Sequence, residues 1–130
     1  MKNSKVLKII LFISGLVAIG VGGSILTVPV SFYATNNINI EGNISLLNEI
    51  RASGGVLLAS GILIFLGTFV AKLTFTSTVI ASLLYLSYGL SRILSVVIDG
   101  MPAEGLVQAA ILELIIGLVC ILSFVKYIKR

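Results

Sequence analysis

Arg92 and Glu113, two side chains of opposite charge, lie inside long apolar runs, and any chemistry in this sequence has to start from them. Arg92 belongs to a set, Tyr85, Tyr88, Arg92, Ser95 and Asp99, spaced by three, four, three and four residues. That spacing places all five on one helix face. Arg92 lies seven residues before the turn that follows Asp99, about 10 Å inside the apolar region at 1.5 Å per residue. A charge there costs roughly 2.5–3.5 kcal/mol unless it meets a partner, water or a route to the interface. Glu113 follows Glu104 by nine residues, about 13 Å deep by the same rise. The depths match, so Arg92 and Glu113 are expected to pair, with a phenol from Tyr85 or Tyr88 beside them. Glu49 and Arg51 enter the same outer region from another apolar segment.

Other chemistries are excluded by what is missing. The chain has no histidine and one cysteine, Cys120. Zincin motifs, Cys₂His₂ sites, histidine-ligated haem and Ser-His-Asp triads therefore cannot be built. A single cysteine forms no internal disulfide and no Cys-x-x-Cys pair. No cofactor or metal is expected, and Cys120 reads as a small buried apolar residue.

Positioning these groups falls to four apolar segments, at about residues 6–30, 46–71, 73–98 and 104–127. Hydrophobic residues make up 58% of the 130-residue chain and charged residues 11%, against about 25% charged in soluble domains. Each segment meets the ~20 residues needed to cross ~30 Å of hydrocarbon, and none alternates as a barrel strand would. The first is too long for a signal-peptide core and lacks a small-x-small cleavage site, so it reads as a retained helix. The expected fold is all-α: one domain over residues 1–130, an antiparallel four-helix transmembrane bundle with both termini cytoplasmic.

The orientation follows from charge. Lys2, Lys5, Lys8, Lys72, Lys126, Lys129 and Arg130 all fall on one side of a four-span bundle, which the positive-inside rule makes cytoplasmic. Every acid, Glu41, Glu49, Asp99, Glu104 and Glu113, falls in the opposite half with Arg51 and Arg92. The net charge of +4 is thus explained by orientation. No basic patch with interleaved aromatics points to nucleic acid.

The connections are short apart from Ser31 to Ser45. Pro29 should end or kink the first helix. Asn37 to Glu41 alternates polar and apolar and reads as extended on the membrane surface, and Asn43 or Ser45 is placed to cap the second segment. Asp99-Gly100-Met101-Pro102 is turn chemistry. Tyr33 and Tyr127 read as interfacial anchors. Small residues recur every four positions: Gly55, Ala59, Gly67 and Ala71 after Gly54; Gly105, Ala109 and Gly117 around Glu113; and Ser14, Ala18 and Gly22 with Gly15, Gly20 and Gly23 nearby. Such stripes let helices approach closely.

The pattern Glu49-x-Arg51-x-x-Gly54-Gly55, together with Arg92-x-x-Ser95-x-x-x-Asp99-Gly100-x-Pro102, resembles a bacterial four-helix membrane family catalogued only as a domain of unknown function. The resemblance covers nearly the whole chain; Ser53 departs from it, standing where an aromatic residue is common. The layout is also distantly similar to the DoxX-like proteins. The resemblance implies a four-helix bundle in the bacterial inner membrane and supports the choice of site residues; it implies no activity.

Two readings of the charged pair stay open, an ion pair that fixes helix register and a polar pocket open outward. On the second, the leading expectation is a non-enzymatic binding or accessory module. Its pocket would lie between the second, third and fourth segments and take a lipid-like or quinone-like ligand, or a membrane-protein partner or second copy. Arg92 would anchor, Glu113 would balance its charge, and Tyr85 and Tyr88 would line the wall. A proton-coupled carrier would need an inner polar path. A membrane enzyme would need Glu113 as an acid–base group.

Overall fold

Pro29 decides where the first segment ends. A computed structural model describes residues 5–128, with side chains described for 5–126. Helix α1 runs Lys5–Thr27 and stops at Val28, whose backbone (φ −132°, ψ 57°) leaves the helical region. Proline has no N–H to donate, which suits the first helical position. Pro29 therefore opens a second short helix, α2 (Pro29–Ala34), where an irregular connection was expected. The chain then turns at Asn37, whose φ of 62° is the only positive value at a non-glycine among the described residues. The stretch after it is not a strand. Its alternation has a different cause: Ile40 is only 3% exposed and docks inward while its Asn neighbours face out.

Asn43 caps the next helix, its Oδ1 accepting from the Leu46 amide at 3.1 Å. Helix α3 (Ile44–Phe69) is followed by a single 3₁₀ turn at Ala71–Leu73, then α4 (Thr74–Asp99) and α5 (Glu104–Ile128). Gly100, with φ 102°, ends α4 in a conformation that residues with a Cβ rarely adopt. Four helices are long and apolar enough to cross a membrane, the third including the 3₁₀ turn. These helices begin and end within a few residues of the four apolar segments, and among the described residues no strand occurs. Lys2, Lys129, Arg130 and the side chain of Tyr127 lie outside what is described.

The helices associate in two ways. Pairs α1–α3 and α4–α5 meet through glycine. A Cβ on Gly15 would stand 2.7 Å from the Phe65 backbone nitrogen, one on Gly61 2.7 Å from that of Ile19, and one on Gly54 2.7 Å from the Ile25 side chain. Gly89 and Gly117 take Leu114 and Leu86 across the α4–α5 seam in the same way. The two pairs then join through hydroxyls donating to carbonyls. Thr74 reaches the Gly67 carbonyl at 2.9 Å and Ser77 that of Leu63 at 2.7 Å, while the Tyr85 phenol donates to the Ser14 carbonyl on α1. Without a hydrophobic drive between helices in lipid, close packing and such bonds hold a bundle together. The central core draws Leu7 and Leu11 from α1, Ile64 from α3, Ala81 and Tyr85 from α4, and Ile116 and Cys120 from α5. Helices α3 and α5 stand diagonally, with no close approach between them.

The stripes are corrected in register. Gly54 packs and Gly55 does not: a Cβ there meets nothing within 4 Å, and Ala59 is exposed. The seam on α3 is Gly54, Leu57, Gly61 and Ile64, all buried. On α1, Ser14, Gly15, Ala18 and Gly22 are buried, while Gly20 and Gly23 face open space.

Candidate functional site

The long polar face of α4 divides into two parts with different surroundings. Toward the 3₁₀ turn, Thr78 and Ser82 are buried and donate to carbonyls one turn back, those of Thr74 and Thr78, at 2.7 and 2.8 Å. Tyr85 belongs to this part. Its phenol is spent on α1, so it braces the core and does not line a wall beside Arg92. Toward Asp99 the face opens, and there the charges lie.

Arg92 Nε donates to Glu113 Oε1 at 2.6 Å across the α4–α5 seam. The side chains are 31% and 15% exposed. A charge-assisted bond this short fixes the guanidinium. Its centre also lies 5.8 Å from the ring centroid of Tyr88, one turn earlier on α4, within cation–π range. Only Nε is used: among the described residues neither Nη nitrogen has a hydrogen-bond partner. The other four N–H bonds of the rigid fork take no part in the pair. Ser95 donates to Asp99 at 3.0 Å, holding that carboxylate against its own helix at the bundle end.

Helix α3 does not enter this cluster. Arg51 turns to α1, where its Nη1 donates to the Leu26 carbonyl at the C-terminal end of that helix. This satisfies an acceptor that has no intrahelical donor. Glu49 is exposed. The place expected for α3 is taken by α2, a helix inside the long connection between the first two membrane-length helices. Phe32 and Tyr33 pack with Tyr88 against a second core of Ala18, Ile25 and Leu57. Burial pushes the Tyr33 phenol upward from its usual range; Tyr88 adds to this, and the charge of Arg92 opposes it. Tyr33 thus lies within electrostatic reach of Tyr88 and Arg92. Asn36, just beyond α2, sets its side-chain oxygen against Gly105 in the first turn of α5, where a Cβ would collide with it. Ala109, between Gly105 and Glu113, is half-buried.

Tyr33, expected as an interfacial anchor, and Asn36, within the long connection, are brought to this end of the bundle by α2. Their signal was Pro29 read as a helix opener, which would have folded the following turn back over the bundle end.

Tyr88 also faces a second feature. An open groove of ≈ 270 Å³ runs between α3 and α4, lined by Ser60, Ile80, Leu83, Leu84, Ser87 and Tyr88. It lies beyond the stretch near the connecting turn where Thr74 and Ser77 bond α4 to α3. Leu83, 61% exposed, forms its outer lip. Among the described residues the Ser60 and Ser87 hydroxyls have no hydrogen-bond partner, unlike Thr74, Ser77, Thr78 and Ser82. The arrangement therefore joins an apolar groove to a donor fork through one tyrosine. Among the described residues no group of three or more metal-ligating side chains forms.

Residues 6–124 match a family described as a domain of unknown function, DUF4345. No curated protein and no solved structure matches the chain. The match spans nearly all four helices, including the α4–α5 pair that carries the charged cluster, and on that extent the chain belongs to the DUF4345 family.

Proposed function

We propose that this protein is a non-enzymatic membrane binding module that holds the polar head of a lipid-like or quinone-like amphiphile at Arg92 and its tail in the α3–α4 groove. The observation that carries the reading is the incomplete use of Arg92. Its guanidinium is fixed by Glu113 and Tyr88, yet among the described residues neither Nη nitrogen has a hydrogen-bond partner, and Tyr88 also lines the groove. An ion pair serving register alone has no need of an open donor edge or of an adjoining groove. The Arg92 side chain is 31% exposed, so its unused N–H groups are open to a ligand acceptor, and a hydrogen bond to a charged donor is worth about 1.5–3 kcal/mol.

Orientation belongs to the same reading. Lys5, Lys8, Lys72 and Lys126 lie at one end of the bundle and all five acids toward the other. The positive-inside rule then puts both termini in the cytoplasm and the Arg92 cluster in the outer half of a bacterial inner membrane. A proton-coupled carrier would need an inner polar path, and the hydroxyls on the opposite half of α4 are instead bonded to backbone carbonyls and serve packing.

The test is lipid analysis of the purified protein. A co-purifying amphiphile should be present in the wild type and lost on Arg92→Ala, with Glu41→Gln unchanged. Equal lipid content in all three would remove the binding reading and leave a structural ion pair or a membrane-protein partner as the occupant of this face.

A further inference from the structure

The binding reading leaves the head group open, and depth and charge narrow it. Helix α4 has 26 residues, so its midpoint falls between Leu86 and Ser87. Centring it on the bilayer midplane at 1.5 Å per residue puts the Arg92 Cα about 8 Å out from the midplane, roughly 7 Å inside the edge of a ~30 Å hydrocarbon core. On the same scale Tyr88 lies about 2 Å out from the midplane and Ile80 about 10 Å beyond it, toward the basic end. The groove therefore begins one turn below Arg92 and continues into the other leaflet. A two-tailed phospholipid with its phosphate at the interface ends its tails near the midplane and fits this poorly. A single-tailed amphiphile whose head sinks to Arg92 fits it.

A sinking head must leave water, which is far costlier for an ion than for a neutral acceptor. The local charge agrees. Arg92 is already neutralised by Glu113 at 2.6 Å, and this end of the chain holds all five carboxylates, against only Arg51 and Arg92. An added phosphate would meet a negative field. The free Nη edge asks for an acceptor oxygen and does not need an anion.

We infer that the site selects an uncharged, single-tailed amphiphile whose head bears a carbonyl or hydroxyl oxygen, and rejects the phosphorylated form of the same molecule. The oxygen accepts from the Arg92 Nη donors, and the tail passes Tyr88, Ser87 and Ser60. This rests on the binding reading above.

The experiment compares monoolein with oleoyl lysophosphatidate, probes with the same acyl chain that differ at the phosphate. Each is titrated into the full-length protein in detergent and one-to-one adducts are counted by native mass spectrometry, for wild type, Arg92→Lys and Ser60→Leu. Protection of Cys120 from a thiol reagent verifies that each variant is folded. Monoolein should bind at least about tenfold more tightly than the phosphate, a gap of about 1.4 kcal/mol. Both substitutions should remove that binding while Cys120 stays protected. If the phosphate binds equally or better and is lost in the variants, the uncharged-head inference fails and the binding reading stands. If neither probe gives an adduct, or both bind regardless of the substitutions, both fail.

Discussion

Gly22 and Gly23 are neighbours in sequence and opposite in consequence, so replacing each by alanine separates packing from propensity. A Cβ on Gly22 would stand 2.5 Å from the Leu58 amide nitrogen and 2.9 Å from the Gly54 carbonyl oxygen. Both are backbone atoms on α3 and cannot rotate away. Ordinary contact begins near 3.4 Å, so α1 and α3 must separate by roughly 1 Å at this point. Forced overpacking of this kind typically costs about 1–3 kcal/mol. A Cβ on Gly23 meets nothing within 4 Å, and a surface change of this kind stays within about 0.5 kcal/mol. The chain supplies its own probe. Cys120 is its single cysteine and is 0% exposed, inside the core built from α1, α3, α4 and α5. A thiol-reactive fluorophore therefore reports opening of the bundle during a thermal ramp in detergent. Gly22→Ala should lower the midpoint by about 3–10 °C, using a few degrees per kcal/mol for a domain of this size, with Gly23→Ala within about 2 °C of wild type. Equal midpoints for the two variants would refute the close α1–α3 approach.

The Arg92–Glu113 pair should behave as a coupled unit. Glu113→Leu alone leaves a partly buried guanidinium unpaired and should cost about 1–3 kcal/mol, below the full buried-pair range because Arg92 is 31% exposed. Adding Arg92→Met should restore much of the loss, and a double-mutant cycle by the same thiol assay should show coupling of at least about 0.5 kcal/mol; zero coupling would deny the contact. Tyr85→Phe removes only the donor to the Ser14 carbonyl, with an expected loss of about 0.6–1.7 kcal/mol and no change in probe binding at Arg92. Tyr33 gives the pH dependence. Its folded phenol titrates above its unfolded value of 10.0, so its contribution is complete below about pH 10 and is lost as pH rises through the folded pKa. Tyr33→Phe should therefore flatten the alkaline fall in melting midpoint, and an unchanged slope would show that Tyr33 is not desolvated by the bundle end.

How far the sequence could be read depends on the kind of signal. The four helices were legible because each is a continuous apolar run, and lipid demands that length. Arg92 and Glu113 were legible as a pair because depth along two antiparallel helices can be counted from a shared turn. The packing register was not. Gly54 and Gly55 are adjacent and so lie on helix faces about 100° apart, and a four-residue count from Gly55 drifts away from the partner helix. The structure uses seven-residue steps, Gly15 to Gly22 and Gly54 to Gly61, the spacing that keeps a seam facing its partner in a left-handed supercoil. The direction taken by Arg51 was not legible either. Sorting of charges by end says nothing about which neighbouring helix a side chain meets, and an unpaired carbonyl at the end of α1 claimed it. Helix α2 was missed because Pro29 signals both a stop and a start, and six residues carry too little periodicity to decide.

In the proposed site Arg92 is held by Glu113 through one nitrogen and offers the rest of its fork to a ligand. Solid-state NMR measures this directly in lipid bilayers, as dipolar distances from the Arg92 nitrogens to the Glu113 carboxyl carbon, with Glu113→Gln identifying the signal. Nε should lie within about 4 Å of that carbon, and the Nη resonances should shift on addition of monoolein. An Nε distance beyond about 6 Å, or Nη signals indifferent to the probe while Nε stays close, would contradict it.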